Sequence, residues 1–359
     1  MIRAGLIPQA HTYGARADLP IPLYLFVVGG ALVVVLSFLL VLRRGAAPDP
    51  LLDAPDTVPT RPFGLISGTL SILLTVGVAL VGLAGTQEVA ENVAPLFFWV
   101  FVWIVVPISC GLLGDWTQPV NPFANAARLG DSTGLRKLVL ARTEPLEWSA
   151  RLAWWPAVAL FVLLVLGELV FNLHTTQPAF IGGVLLVYGV LSFFLGLLFG
   201  ASWMERGEVY SGLFNAWGRL GFFRFRAPGR RGFAGGLDVP FEASASRIVF
   251  VLLLLVSINF DGLLATPQWA KYERQTYGTD THAVELLRTL SLAVLVVVVL
   301  AVFLAFARQS AKLGGQATRP LASLSVLLPS LVPIAFGYLI AHNLQYLVTN
   351  LQFAHRGPA

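Results

Sequence analysis

Long apolar runs divided by short polar breaks organise this chain. The first, residues 21–42, ends at Arg43 and Arg44; as a helix it would span about 33 Å, enough for a hydrocarbon core of about 30 Å. Runs of the same kind follow at 62–85, 95–114, 152–172, 178–200, 248–264, 286–307 and 321–348, so the pattern predicts eight transmembrane helices. Only Leu173 to Gln177 separates the fourth run from the fifth, which calls for an antiparallel helix hairpin. Two longer mixed segments, 115–151 and 201–247, read as cytoplasmic interfacial amphipathic helices. In the second, Val209, Leu213, Ala216, Trp217 and Leu220 recur at helical spacing, predicting a helix that lies on the membrane. The expected fold is all-α, a polytopic bundle forming one integral membrane domain over 1–359. No internal repeat is visible, which weakens the inverted-repeat transporter architectures.

Composition narrows the class. Hydrophobic residues make up 56% and charged residues 12% of the chain, with a mean hydropathy of +0.75, far too apolar for a soluble domain. The lipid bilayer is therefore the expected surrounding. A single cysteine, Cys110, excludes an intrachain disulfide framework and any Cys-based zinc or iron–sulfur site. Residues 1–20 have neither the length nor the apolar core of a secretory signal peptide.

Charge sets the expected orientation. Of the 24 Lys and Arg residues, 18 fall in one alternating set of segments, which leaves 6 for the other. By the positive-inside rule the first set is cytoplasmic, so both termini are expected outside a cell membrane. The run Arg224, Arg226, Arg230 and Arg231 reads as topology-setting charge rather than a nucleic-acid surface.

With that orientation all 5 histidines, His11, His174, His282, His342 and His355, fall on the extracytoplasmic side. Asp18, Glu168 and Asp261 are expected at the same level, the last two inside spanning helices. An ionisable group there costs about 3 kcal/mol or more unless it is paired or hydrated. Tyr338 and His342 share one helical stripe, so His342, Asp261, Glu168 and Tyr338 form a candidate catalytic set around one hydrated cavity. Imidazoles and carboxylates serve as general acids and bases, and they are also ligands for a divalent metal ion. For that second role His342, Asp261, His11 and Asp18 are the candidates. The competing reading of each buried group is a structural hydrogen bond to a neighbouring helix. A transmembrane haem needs two facing histidines and only His342 is well inside a run. No phosphate-binding loop or nucleophile elbow is present.

Seven motifs stand in order along the chain: HTYGARADLPIPLYLF, GLAGTQEVAENVAP, GDWTQPVNPF, LGELVF, RGEVYSGLFNAWGRL, SINFDG and SLVPIAFGYLIAHNLQYLVTNLQ. Together they resemble a family of bacterial polytopic membrane proteins known as fenitrothion hydrolases. The resemblance implies a multi-pass membrane fold and hydrolysis of an organophosphate ester, with no catalytic residues attached. Where that family has Trp after the NP pair, this chain has Phe123. Three functions follow as expectations: a hydrolase, metal-assisted or not, with a polar site open to the extracytoplasmic side; a transporter or channel for a small solute or ion; and a non-catalytic assembly subunit.

Overall fold

The structure, a computed structural model, describes residues 61–223, 234–314 and 320–354, with Val28, Leu32, Val35, Asp56 and Val58 before them; for 344–354 it describes the backbone alone. Among the described residues every regular element is helical. Six helices are long and apolar enough to cross a membrane, the coarse feature that marks a membrane protein. The expected first span falls almost wholly outside the described residues; Val28, Leu32 and Val35 within it are helical and exposed.

Helix α1, Leu65–Ala84, leads into α2, Val93–Leu113, through a turn that Asn92 holds from both ends. Its Oδ1 accepts from Ala94 N (2.9 Å), while its Nδ2 donates to Val81 O (3.1 Å) and Thr86 O (2.7 Å). Within α2, Leu96–Val105 is wound as a π-helix. The cause lies just beyond: Pro107 has no N–H to offer the carbonyl one turn back, so the preceding turns widen. This winding sets the direction of Trp103.

Two short helices follow, α3 (Pro122–Gly130) and α4 (Thr133–Leu140), each started by a capping side chain, Asn121 and Ser132. The sequence places both at the interface. The structure divides them. On α4 Leu138 is 83% exposed, whereas α3 is wedged between α1 and α7 (Pro178–Phe199), with Phe123, Ala124, Ala127 and Gly130 buried. Glycine makes that wedge possible, since a Cβ on Gly196 would stand 2.1 Å from Ala127 O.

Between these lies α5, Trp155–Leu169, whose 15 residues fall short of the expected run 152–172. The chain breaks at Val170 and Phe171 and makes the single turn α6, Asn172–Thr175, before α7. A larger departure concerns α8, Val209–Gly218, expected to lie on the membrane with one face wet. All of its residues but Asn215 are buried, packed among α2, α5 and later helices. The face opposite the apolar stripe is small rather than charged. Gly212 lets Phe250 and Trp154 close against the helix, Gly218 does the same for Asp115, and Ser211 bonds to Glu208 and Asn121.

The remaining helices are α9 (Ala245–Leu264), α10 (Pro267–Tyr277), α11 (Thr281–Leu313), α12 (Pro320–Leu327) and α13 (Val332–Ala354). The run predicted as one span over 321–348 is split by a 3-10 segment, Leu328–Leu331, carrying Pro329. Aromatic contacts seal the centre: Phe161 of α5 against Phe250 of α9 (5.4 Å between centroids), and Trp217 of α8 against Phe336 of α13 (5.9 Å).

A buried ionic clamp closes one end of the bundle. Arg247 donates to Asp56 Oδ2 from Nε (2.8 Å) and to Oδ1 from Nη2 (2.9 Å), and Arg219 binds the same carboxylate. The guanidinium of Arg247 lies 3.8 Å over the Trp154 ring and that of Arg219 lies 3.7 Å over Phe241. Burial opposes charge on Asp56, but the two guanidinium groups override it, and its carboxyl is held well below the usual carboxylate range.

Candidate functional site

Near the ends of α5 and α9 two carboxyl side chains enter the bundle. Glu168 is the penultimate residue of α5, and Asp261 stands one turn from the end of α9. Helix α13 brings His342 against them. The His342 Nε2 atom lies 2.7 Å from Asp261 Oδ2, with both side chains largely buried, at 15% and 16% exposure. Among the described residues Asp261 Oδ1 is buried without a hydrogen-bond partner. Glu168 faces the Trp103 side chain and lies within electrostatic reach of Asp261.

All three line a cavity of about 60 Å³. Trp103, Phe161, Phe214 and Trp217 form its aromatic walls, and Ser257 and Asn343 add polar groups. At roughly 30 Å³ per water molecule in the liquid, the space suits a few waters. Small-molecule pockets generally start near about 300 Å³. Tyr338 stands behind the pair, its ring stacked on His342 at 5.7 Å and 17°.

The structure thus brings together His342, Asp261 and Glu168, with Tyr338 touching the imidazole from outside the cavity lining. His11 and Asp18 lie outside the described residues. Among the described residues no group of three or more His, Cys, Asp or Glu side chains could hold a metal ion. His174 and His282 are elsewhere, at 3.8 Å and 3.4 Å from the buried Glu285 carboxylate, which neighbours the Arg288–Glu273 ion pair.

Two polar assemblies were hidden from sequence reasoning. One is the Asp56 clamp, whose arginines count only as positive-inside charge in a linear reading. The other surrounds Glu208, the N-cap of α8, which is 1% exposed. Its carboxylate accepts from Tyr188 Oη (2.8 Å), Asn121 Nδ2 (2.8 Å), Tyr210 N (3.1 Å), Ser211 N (2.7 Å) and Ser211 Oγ (2.6 Å). Five donors, two of them backbone N–H groups of the helix N-terminus, satisfy this carboxyl group. The signal available in the sequence was the acidic residue just before an apolar helix, a capping pattern. Trp103 carried none, because its direction depends on the π-helical winding.

The chain matches no protein-family model, no curated protein and no solved structure.

Proposed function

We propose that this chain is a multi-pass membrane protein whose His342–Asp261–Glu168 cluster binds and passes on protons, as in proton-coupled transport. The observation that carries this reading is the pairing of His342 with Asp261 at 2.7 Å beside Glu168, around a space of about 60 Å³. Ionisable side chains inside spanning helices are costly and commonly mark proton or ion paths. Imidazole and carboxyl groups sharing a few waters are suited to exchanging protons, and the small volume leaves no room for a bulky solute at that point.

The finer topology belongs to the same proposal: eight spans in a cell membrane, with residues 21–42 as the first, 152–172 as a short fourth, and both termini outside. The 18-to-6 division of Lys and Arg supports it.

Proton passage is tested with purified protein in liposomes enclosing a pH-sensitive dye, under an imposed potassium diffusion potential. The intact chain should move protons, and Asp261→Asn, Glu168→Gln and His342→Ala should each lower the rate about a hundredfold or more, the range expected of a positioned acid or base. Equal rates in all three variants and the parent would end the proposal.

A second reading keeps hydrolysis, on the strength of the Asp261–His342 geometry and the organophosphate ester implied by the resemblance. There Asp261 would orient His342 as a general base toward water. A metal-assisted form would instead draw on His342, Asp261, His11 and Asp18 as ligands. Metal analysis with a triester hydrolysis assay separates the two readings: turnover lost in His342→Ala, without proton flux in the parent, would favour the enzyme.

A further inference from the structure

A larger cavity lies on the other side of α5. It occupies about 510 Å³ between α2, α5, α7 and α8, within the range of about 300–1,000 Å³ typical of small-molecule sites. Its lining includes Trp99, Phe123, Leu160, Ile181, Leu185 and Tyr210, and among the described residues holds no Asp, Glu, Lys or Arg. Three of the polar atoms at its edges are already engaged. Trp99 Nε1 donates to Thr175 O (3.2 Å), Thr175 Oγ1 to Gly167 O (2.6 Å), and Tyr188 Oη to Glu208 (2.8 Å). What the cleft presents is mostly carbon.

The lips are Leu163 on α5, 64% exposed, and Phe180 and Val184 on α7, 46% and 37% exposed. These helices are apolar on their outer faces, so the medium at the opening of a membrane-spanning bundle is hydrocarbon. A void of this size forfeits the dispersion contacts of its whole lining, and the molecule present at high concentration beside it is a lipid chain. His174, the only imidazole of the lining among the described residues, stands at the turn α6, where α5 has ended. The absence of a charged side chain within the lining argues against a headgroup entering, and the polar turn gives the ester end of a lipid a place to stop.

We infer that the cleft between α5 and α7 is a binding site for one acyl chain of a bilayer lipid, entering sideways with its glycerol end beside His174. The chain lies behind Trp99, which packs edge-to-face on Trp103 at 6.2 Å. The lipid therefore backs the aromatic wall of the His342 cavity and completes its exclusion of bulk solvent.

The test uses the whole protein in nanodiscs of phosphatidylcholine with a diazirine near the chain terminus, followed by photolysis and mapping of the adducts. Tyr210 and Ile181 are 3% and 2% exposed and border the cleft. They should carry adducts alongside Val187 and Val190, which face outward at 69% and 57%. Narrowing the lips with Val184→Trp, or from the other side with Leu163→Trp, should reduce labelling of Tyr210 and Ile181 severalfold while leaving Val187 unchanged. Adducts confined to outward residues would overturn the inference, as would interior labelling indifferent to both lip variants in monodisperse protein. Proton flux plays no part in this readout, so the result stands apart from the function proposed above.

Discussion

A Cβ placed on Gly262 would stand 1.7 Å from the hydroxyl oxygen of Tyr338. Gly262 follows Asp261 on α9, and Tyr338 stacks on His342, so the acid, the imidazole and the phenol depend on one hydrogen-sized gap.

Gly262→Ala should therefore push Tyr338 aside, destabilise the protein by about 1–3 kcal/mol, and lower proton flux. Adding Tyr338→Phe removes the nearest clashing atom, although the ring carbon behind it, 2.9 Å from the new Cβ, stays tight. The double variant should recover part of the lost thermal stability. A double variant no more stable than Gly262→Ala would show that the hydroxyl does not set the helix approach.

The clamp around Asp56 predicts a stability effect with a defined pH dependence. Asp56→Asn removes the anion between two buried guanidinium groups, and breaking such an arrangement costs about 3–5 kcal/mol. The folded-state carboxyl is held below its unfolded value of about 3.9, so the stabilisation is fully present above that pH. It is lost as pH falls toward the folded value. Thermal unfolding in detergent should show this contribution unchanged between pH 7 and about 5, and declining below about 4. Asp56→Asn should lack this acid-dependent component.

Where α3 meets α7, Gly130 leaves only 2.0 Å between a notional Cβ and Phe193 O, a backbone atom that cannot swing away. Gly130→Ala should displace α3 and cost about 1–3 kcal/mol, whereas Gly134→Ala on exposed α4 should have little effect. Comparing their melting temperatures checks this contrast; equal losses would contradict the close packing.

For the topology, Glu88 and Leu138 are exposed, the first between α1 and α2 and the second on α4. With the buried Cys110 as the native thiol, Glu88→Cys should react with a membrane-impermeant maleimide from outside intact cells, and Leu138→Cys only after permeabilisation. Labelling of both from one side would reject the proposed arrangement.

The main helices were legible because a bilayer imposes a length and a polarity that apolar runs display directly. Helices such as α1, α7 and α9 needed little more. The placement of α8 was not legible: Ser211, Gly212 and Gly218 read as a weakly polar face, and only the smallness of Gly212 against Trp154 and Phe250, that of Gly218 against Asp115, and the bonds of Ser211 to Glu208 and Asn121 explain why that face is buried. The end of α5 at Leu169 lies inside a run that hydropathy alone continues through Phe171. For the candidate site, the cost of lipid exposure singled out Glu168, Asp261 and His342. Their common cavity depends on how α5, α9 and α13 are rotated, which no linear pattern encodes.

Asp56 meets partners 163 and 191 residues further along the chain, Arg219 and Arg247. During synthesis, with the N-terminal part emerging first, the carboxylate must wait through most of translation before either guanidinium exists. The contact consequently acts as a late step of biogenesis: the early part of the chain is fastened only after α8 and the start of α9 have been made. A nascent chain truncated before Arg247 lacks the bidentate half of the clamp, whatever the state of the helices already inserted.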